Sequence, residues 1–104
     1  MTKEDLQPLA NIDKIIHEPA RLMILSHLYV VERADFLFLK QQTGLTSGNL
    51  SSHLNKLENA EYVAVTKEFL DKKPHTMLSL TAAGRKAFKE YMRKMKQVFD
   101  DLSE

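Results

Sequence analysis

Cysteine is absent from the 104 residues, which rules out a disulfide frame and any thiolate metal site. Glycine and proline number three each, and no glycine-rich loop able to cradle a phosphate is present. No apolar run approaches the roughly 20 residues that span a bilayer, so no membrane association is expected. Met1-Thr-Lys-Glu-Asp5 lacks the positive-then-apolar order of a signal peptide, and a cytoplasmic address is expected. Neither sign of charge dominates, at a net +1. Residues 1–39 hold four basic and six acidic side chains, residues 40–75 five and four, and residues 76–104 six and four. The positive excess is mild and C-terminal, which permits a polyanionic partner without requiring one. No nucleophile–base pairing or metal-ligand set stands out, so an enzyme is not expected.

What is present is ordinary globular composition, with 43% hydrophobic and 28% charged residues. A chain of this length builds one modest core, so residues 1–104 are read as a single domain. No internal repeat or linker interrupts it.

Leu6, Leu9, Ile12, Ile15 and Ile16 follow a helical apolar pattern that Pro8 interrupts. The pattern predicts a short helix around 11–16, and leaves open a further helical turn before it. Glu18-Pro19 opens the next helix, where proline's missing N–H has no intrahelical partner to lose. That helix is expected to bury Leu22, Met23, Leu25, Leu28 and Tyr29 and to fray near Glu32-Arg33. Ala34-Asp35 reads as an extended link, with a third small strand as the alternative. A helix over 36–42 turns Phe36 and Leu39, and Leu37 as an open third, to the core. Gly44 ends it in the left-handed conformation.

The strongest pattern runs from Ser47 to Asn59. Leu50, Leu54 and Leu57 share one helix face, while Gly48, Ser52, Asn55, Lys56 and Asn59 share the other, with Asn49 and Ser51 at its flanks. Thr46 is the expected N-cap, with Ser47 competing. A solvated face usually carries Lys, Glu and Arg. Short hydrogen-bonding side chains instead let a helix lie close in a DNA major groove and present donors and acceptors to base edges. The four-residue turn before it forces the two helices to cross steeply. Tyr62–Phe69 and His75–Thr81 read as strands around a turn from Leu70 to Pro74, and Thr81 caps a last helix reaching about Leu102. The expected fold is therefore α+β, mainly α: a winged helix-turn-helix with a two-stranded wing. The partition is an N-terminal helical segment at 1–17, a winged-helix core at 18–81 and a C-terminal helix at 82–104.

Four stretches carry a family likeness. They are His17-Glu-Pro-Ala-Arg-Leu-Met-Ile-Leu25, Thr43-Gly-Leu-Thr-Ser-Gly-Asn-Leu-Ser-Ser-His-Leu54, Leu57-Glu-Asn-Ala-Glu-Tyr-Val63 and Leu80-Thr-Ala-Ala-Gly-Arg-Lys-Ala87. In this order and spacing the chain, over Glu18 to Phe88, resembles small prokaryotic winged-helix transcriptional regulators of the MarR/ArsR type, particularly a short MarR-like subgroup. Many relatives carry a wing arginine that enters the minor groove, whereas this chain offers Asp71, Lys72 and Lys73 there. The 47–59 helix also has no arginine to read guanine bidentately. Both departures point to weaker or shape-dependent specificity.

The expected DNA contacts are Thr46, Ser47, Gly48, Asn49, Ser51, Ser52 and Asn55, with Asn49 or Asn55 on an adenine edge and serines and helix-start amides on phosphates. Lys40, Lys56, Lys72 and Lys73 are expected on phosphates, and His75 at the foot of the wing faces phosphate or solvent. The bland alternatives are a capped, solvated helix start and ordinary surface charge. His53 is read as a half-buried packing residue. Asp13 and His17 lie one helical turn apart, a metal-ligand spacing, but without cysteine or a third ligand no metal or other cofactor is expected.

Along the last helix Phe88, Tyr91, Met92, Met95, Val98, Phe99 and Leu102 form an apolar stripe, and the compact body is expected to end near residue 88. Leu6, Leu9, Ile12, Ile16, Tyr91, Met92, Met95, Val98, Phe99 and Leu102 are accordingly expected at a homodimer interface, as the resemblance also implies. Such a dimer fits an inverted-repeat operator on double-stranded DNA, most simply as a repressor. No effector chemistry is legible. The rival reading is a winged helix serving as a protein-interaction or assembly module.

Overall fold

Every helix from Glu18 onward begins where a polar side chain occupies its free amides. In the computed structural model, which describes residues 7–103, Glu18 caps α2 (Pro19–Val31) by accepting from the Arg21 amide at 2.8 Å. Asp35 caps α3 (Phe36–Thr43) through the Leu37 amide, Thr46 caps α4 (Ser47–Asn59) through Asn49, and Thr81 caps α5 (Ala82–Leu102) through Gly84. Gly44 closes α3 at φ 72°, the left-handed position expected of it. Among the described residues no helix is long and apolar enough to cross a membrane.

The N-terminal segment departs from expectation. The helix is α1 at Gln7–Ala10, and 11–16 form turns instead. Asp13 is the cause: its Oδ1 accepts from the amides of Ile15 at 2.8 Å and Ile16 at 3.2 Å, a local bond that competes with helix formation. Its Oδ2 accepts from the Tyr62 hydroxyl at 2.5 Å.

Strands β1 (Arg33–Asp35), β2 (Val63–Leu70) and β3 (Lys73–Leu80) form an antiparallel sheet in the order β1-β3-β2. The short third strand is real. The turn is tighter than the sequence implied: only Asp71 and Lys72 connect the strands, at φ 54° and 64°. Positive φ at both positions gives the two-residue hairpin whose twist matches its strands. Pro74 is tolerated inside β3 because β1 pairs only with Met77–Ser79 and leaves its outer edge open there.

The core is one cluster in which Ile16, Ile24, Leu25, Leu28, Leu39, Leu50, Leu57 and Leu78 are wholly buried. On α2 the buried face is centred on Ile24 rather than Met23, and Arg21 is buried with it. Leu37 points outward at 65% exposure. Gly84 lets α5 lie against the hairpin entrance, since a Cβ there would fall 2.1 Å from the Tyr62 carbonyl oxygen.

The packed body continues past residue 88. Phe88 lies tilted against Tyr29 and parallel to Tyr91, and the Tyr91 hydroxyl meets His17 Nδ1 at 2.8 Å. Of the residues expected at a dimer interface, Ile12, Ile16, Tyr91 and Val98 are buried within the protomer, the first three in the core cluster, and α5 packs along α1. Leu9, Met92, Phe99 and Leu102 are exposed and Met95 is half-buried. Leu6 lies outside the described residues. The radius of gyration is 16.0 Å, well above the roughly 13 Å of a compact chain this long.

Candidate nucleic-acid interface

α4 is held by three leucines: Leu50 and Leu57 are fully buried and Leu54 nearly so. Their spacing leaves Ser47, Gly48, Asn49, Ser51, Ser52, Asn55, Lys56 and Asn59 exposed, as expected. Thr46 is committed to capping, its Oγ1 accepting from the Asn49 amide at 3.1 Å. The other first-turn amides point out of the helix start, an arrangement suited to anionic oxygens.

One flank of α4 is pinned to the body. The Arg21 guanidinium donates through Nη1 to His53 Nδ1 at 3.2 Å, and through Nε to the Ile15 carbonyl at 2.6 Å. Because arginine only donates, His53 must accept at Nδ1 and carry its proton on Nε2. Glu18 lies 3.8 Å from the same nitrogen. Burial works to raise the Glu18 carboxyl, but the hydrogen bond from the Arg21 amide and the Arg21 charge beside it work the other way, and it sits below its ordinary range. His53 is thus the half-buried packing residue the sequence suggested.

The other flank opens on the wing. Ser51, Asn55 and Glu58 of α4 face Val65 and Lys67 of β2 and Thr76 and Leu78 of β3 across a crevice of about 390 Å³, with Phe36 and Leu54 at its floor. Lys67 and Glu58 were missed by sequence reasoning. The missing signal was strand alternation: Val63, Val65 and Lys67 share a face, so the lysine follows two core residues toward α4. Lys72 and Lys73 are exposed at the tip, Lys56 is exposed on the last turn of α4, and Lys40 is half-buried on α3.

His75 is not offered to a ligand on the α4 side. It pairs with Glu68 in the ladder, and alternation turns both to the face opposite Lys67 and Thr76. There His75 Nδ1 donates to Asp35 Oδ2 at 2.7 Å, and Arg33 pairs with Glu68. The hydrogen bond from His75 is the main reason the Asp35 carboxyl sits below its ordinary range. The wing is therefore braced against the cap of α3. Asp13 and His17 are spent on Ile15, Ile16, Tyr62 and Tyr91, and among the described residues no group of three or more acidic or histidine side chains gathers around a metal-sized space.

Two helices joined by a short turn at Gly44, the second anchored by leucines with an open polar face, and a lysine-bearing hairpin beside it define a winged helix-turn-helix. The chain belongs to the winged helix DNA-binding domain family, whose model matches residues 20–99. It is 38% identical over 89 residues to an uncharacterized protein of Methanocaldococcus jannaschii, covering 86% of this chain and 97% of that one. The structure of a transcriptional regulator homologue from Pyrococcus horikoshii OT3 superposes with a TM-score of 0.89 at 32% identity, over 95% of this chain and all of that one. A MarR family regulator from Silicibacter pomeroyi shares the fold at a TM-score of 0.61 and 21% identity, over 91% of this chain and 64% of its own. The protein is a DNA-binding winged-helix transcriptional regulator with the MarR-type fold.

Proposed function

We propose that the protein binds double-stranded DNA in a sequence-dependent way as a homodimer and represses transcription, with α4 in the major groove and the wing on the flanking backbone or minor groove. One observation carries the reading: the outer face of α4, made mostly of short polar side chains with Lys56 among them, is open to solvent and shares a crevice with Lys67 of the wing. Asn49 and Asn55 supply paired donors and acceptors for adenine edges. Ser47, Ser51, Ser52 and the helix-start amides supply phosphate contacts, with Lys56, Lys67, Lys72 and Lys73 adding charge.

Dimerisation rests on α5. Phe99 is 60% exposed, Leu102 55%, Met92 38% and Leu9 39%, an apolar set that a second copy of the helix would cover. Full burial of such side chains contributes roughly 1.5–3 kcal/mol each before ordering costs. A two-fold dimer spaces its recognition helices about 34 Å apart, which favours an inverted repeat. Occupying a promoter excludes polymerase, hence repression.

The test is selection of duplexes from a random pool at moderate salt, with the mass of the free protein measured alongside. Recovery of an inverted-repeat sequence by a dimer is expected, and Asn55→Ala should narrow the gap between selected and random duplexes. No enrichment at any salt, or an unchanged gap for Asn55→Ala, overturns the reading or that residue's role respectively.

A further inference from the structure

We propose that Phe69 is a minor-groove wedge that kinks the bound duplex, an inference that rests on the DNA-binding reading above. Phe69 is 76% exposed although it stands in a regular strand. Its ladder partner is Pro74, one same-face rung beyond the Lys67–Thr76 pair, about 7 Å further out along the hairpin. Lys67 and Thr76 line the crevice opposite Ser51 and Asn55. Alternation therefore projects the Phe69 ring from the wing toward the side on which α4 offers its polar face, beyond the crevice.

The surroundings select the partner. Lys67 stands exposed one same-face rung inward from the ring and Lys72 exposed in the adjoining turn, while Lys73 falls on the opposite face with Glu68, which is paired with Arg33. Asp71 is the remaining acidic group of the tip, and it sits in the turn. An exposed aromatic ring with Lys67 on one side of it along the hairpin and Lys72 on the other fits a polyanion with an apolar, stackable interior. The hairpin is paired out to Leu70–Lys73 and closed by a two-residue turn, so the ring is presented on a rigid support.

Apolar side chains inserted from the minor groove unstack a base step and bend the duplex by roughly 20–90°. The steps that yield most easily are pyrimidine–purine steps, and A-tracts resist. A wing that carries phenylalanine rather than arginine thus selects by deformability. Lysines hold the flanking phosphates and the ring tests the step between them.

The experiment uses duplexes recovered by the protein from a random pool, end-labelled for energy transfer, with either a TA step or an A-tract placed under the wing. The intact protein should bend the TA duplex and bind it more tightly. Phe69→Ala should lose the bend and roughly tenfold in affinity, with an unchanged slope of affinity against salt, because no phosphate contact is lost. Phe69→Leu should retain most of both. Equal bending and affinity for Phe69→Ala overturns the wedge while leaving DNA binding intact. A change in dimer mass for Phe69→Ala also overturns it, by showing the ring to be a protein contact. Failure of the intact protein to recover any duplex removes the DNA reading itself, and the wedge with it.

Discussion

Arg21 and His53 are 32 positions apart in sequence, yet the guanidinium of one and Nδ1 of the other meet at 3.2 Å. The same guanidinium holds the Ile15 carbonyl, so one buried cation joins the N-terminal segment, α2 and the middle of α4. Replacing Arg21 with Met keeps the stem but leaves that carbonyl and the imidazole without a donor. A loss of about 2–4 kcal/mol is expected, read as a lower urea midpoint with unchanged slope.

Asp35 links the wing to the HTH. It caps α3 through the Leu37 amide and accepts from His75. Asp35→Ala should cost about 1–2 kcal/mol, chiefly through the lost cap, seen as a lower melting temperature. The sign with pH follows from its depressed carboxyl. The stability it contributes is present above the ordinary value of 3.8 and is lost as pH falls through the lower folded value. Acid unfolding should therefore be less steep in Asp35→Ala than in the intact protein below about pH 4.

At the alkaline end the sentinel is Tyr62. Burial, reinforced by the hydrogen bond to Asp13, pushes its hydroxyl from 10.0 up to about 12. A raised folded value means stability is complete below 10 and declines as pH rises toward 12. Urea midpoints should fall across that window, and Tyr62→Phe should flatten the fall. An equal decline in both proteins would place the alkaline sensitivity elsewhere.

Gly84 marks the closest approach of α5 to the sheet. A methyl at this position would meet the Tyr62 carbonyl oxygen at 2.1 Å and Leu80 Cδ1 at 2.9 Å. Backbone cannot yield as a flexible side chain does. Gly84→Ala should destabilise by about 1–3 kcal/mol despite alanine's better helix propensity, measured by thermal melting.

The exposed end of α5 carries the proposed dimer. Phe99→Glu places a charge in a position 60% exposed in the protomer, so the domain should keep its circular dichroism and melting behaviour. Its sedimentation mass should fall to that of a monomer, and affinity for an inverted repeat should fall with it. A dimeric Phe99→Glu protein with intact binding would move the interface away from this stripe.

Some of the molecule was legible because it is written locally. The cap at Asp35 and the turns over 11–16 were not: a carboxylate at Asp13 diverts its own backbone into turns, and apolar periodicity there mimics a helix. Ile12, Ile16, Tyr91 and Val98 carry the same signature whether a helix packs on its own domain or on a partner. Periodicity marks the face that is covered and says nothing of what covers it. Lys67 was passed over and His75 favoured although alternation, counted from Val63 and Val65 on one strand and Leu78 on the other, puts Lys67 on the α4 side and His75 on the opposite face.

By itself the chain determined its winged-helix character: Pro19, Gly44, Thr46 and Thr81 start or stop helices through bonds reaching only a few residues, and three leucines define which side of α4 is buried. Only tertiary structure decided that Arg21 is a buried anchor, that Lys67 shares a crevice with α4 while His75 is tied to Asp35, and that four of the ten residues expected at the dimer interface are buried in the protomer. Those outcomes depend on pairings between residues tens of positions apart, whose free energies appear only once strands, helices and turns have chosen a common register.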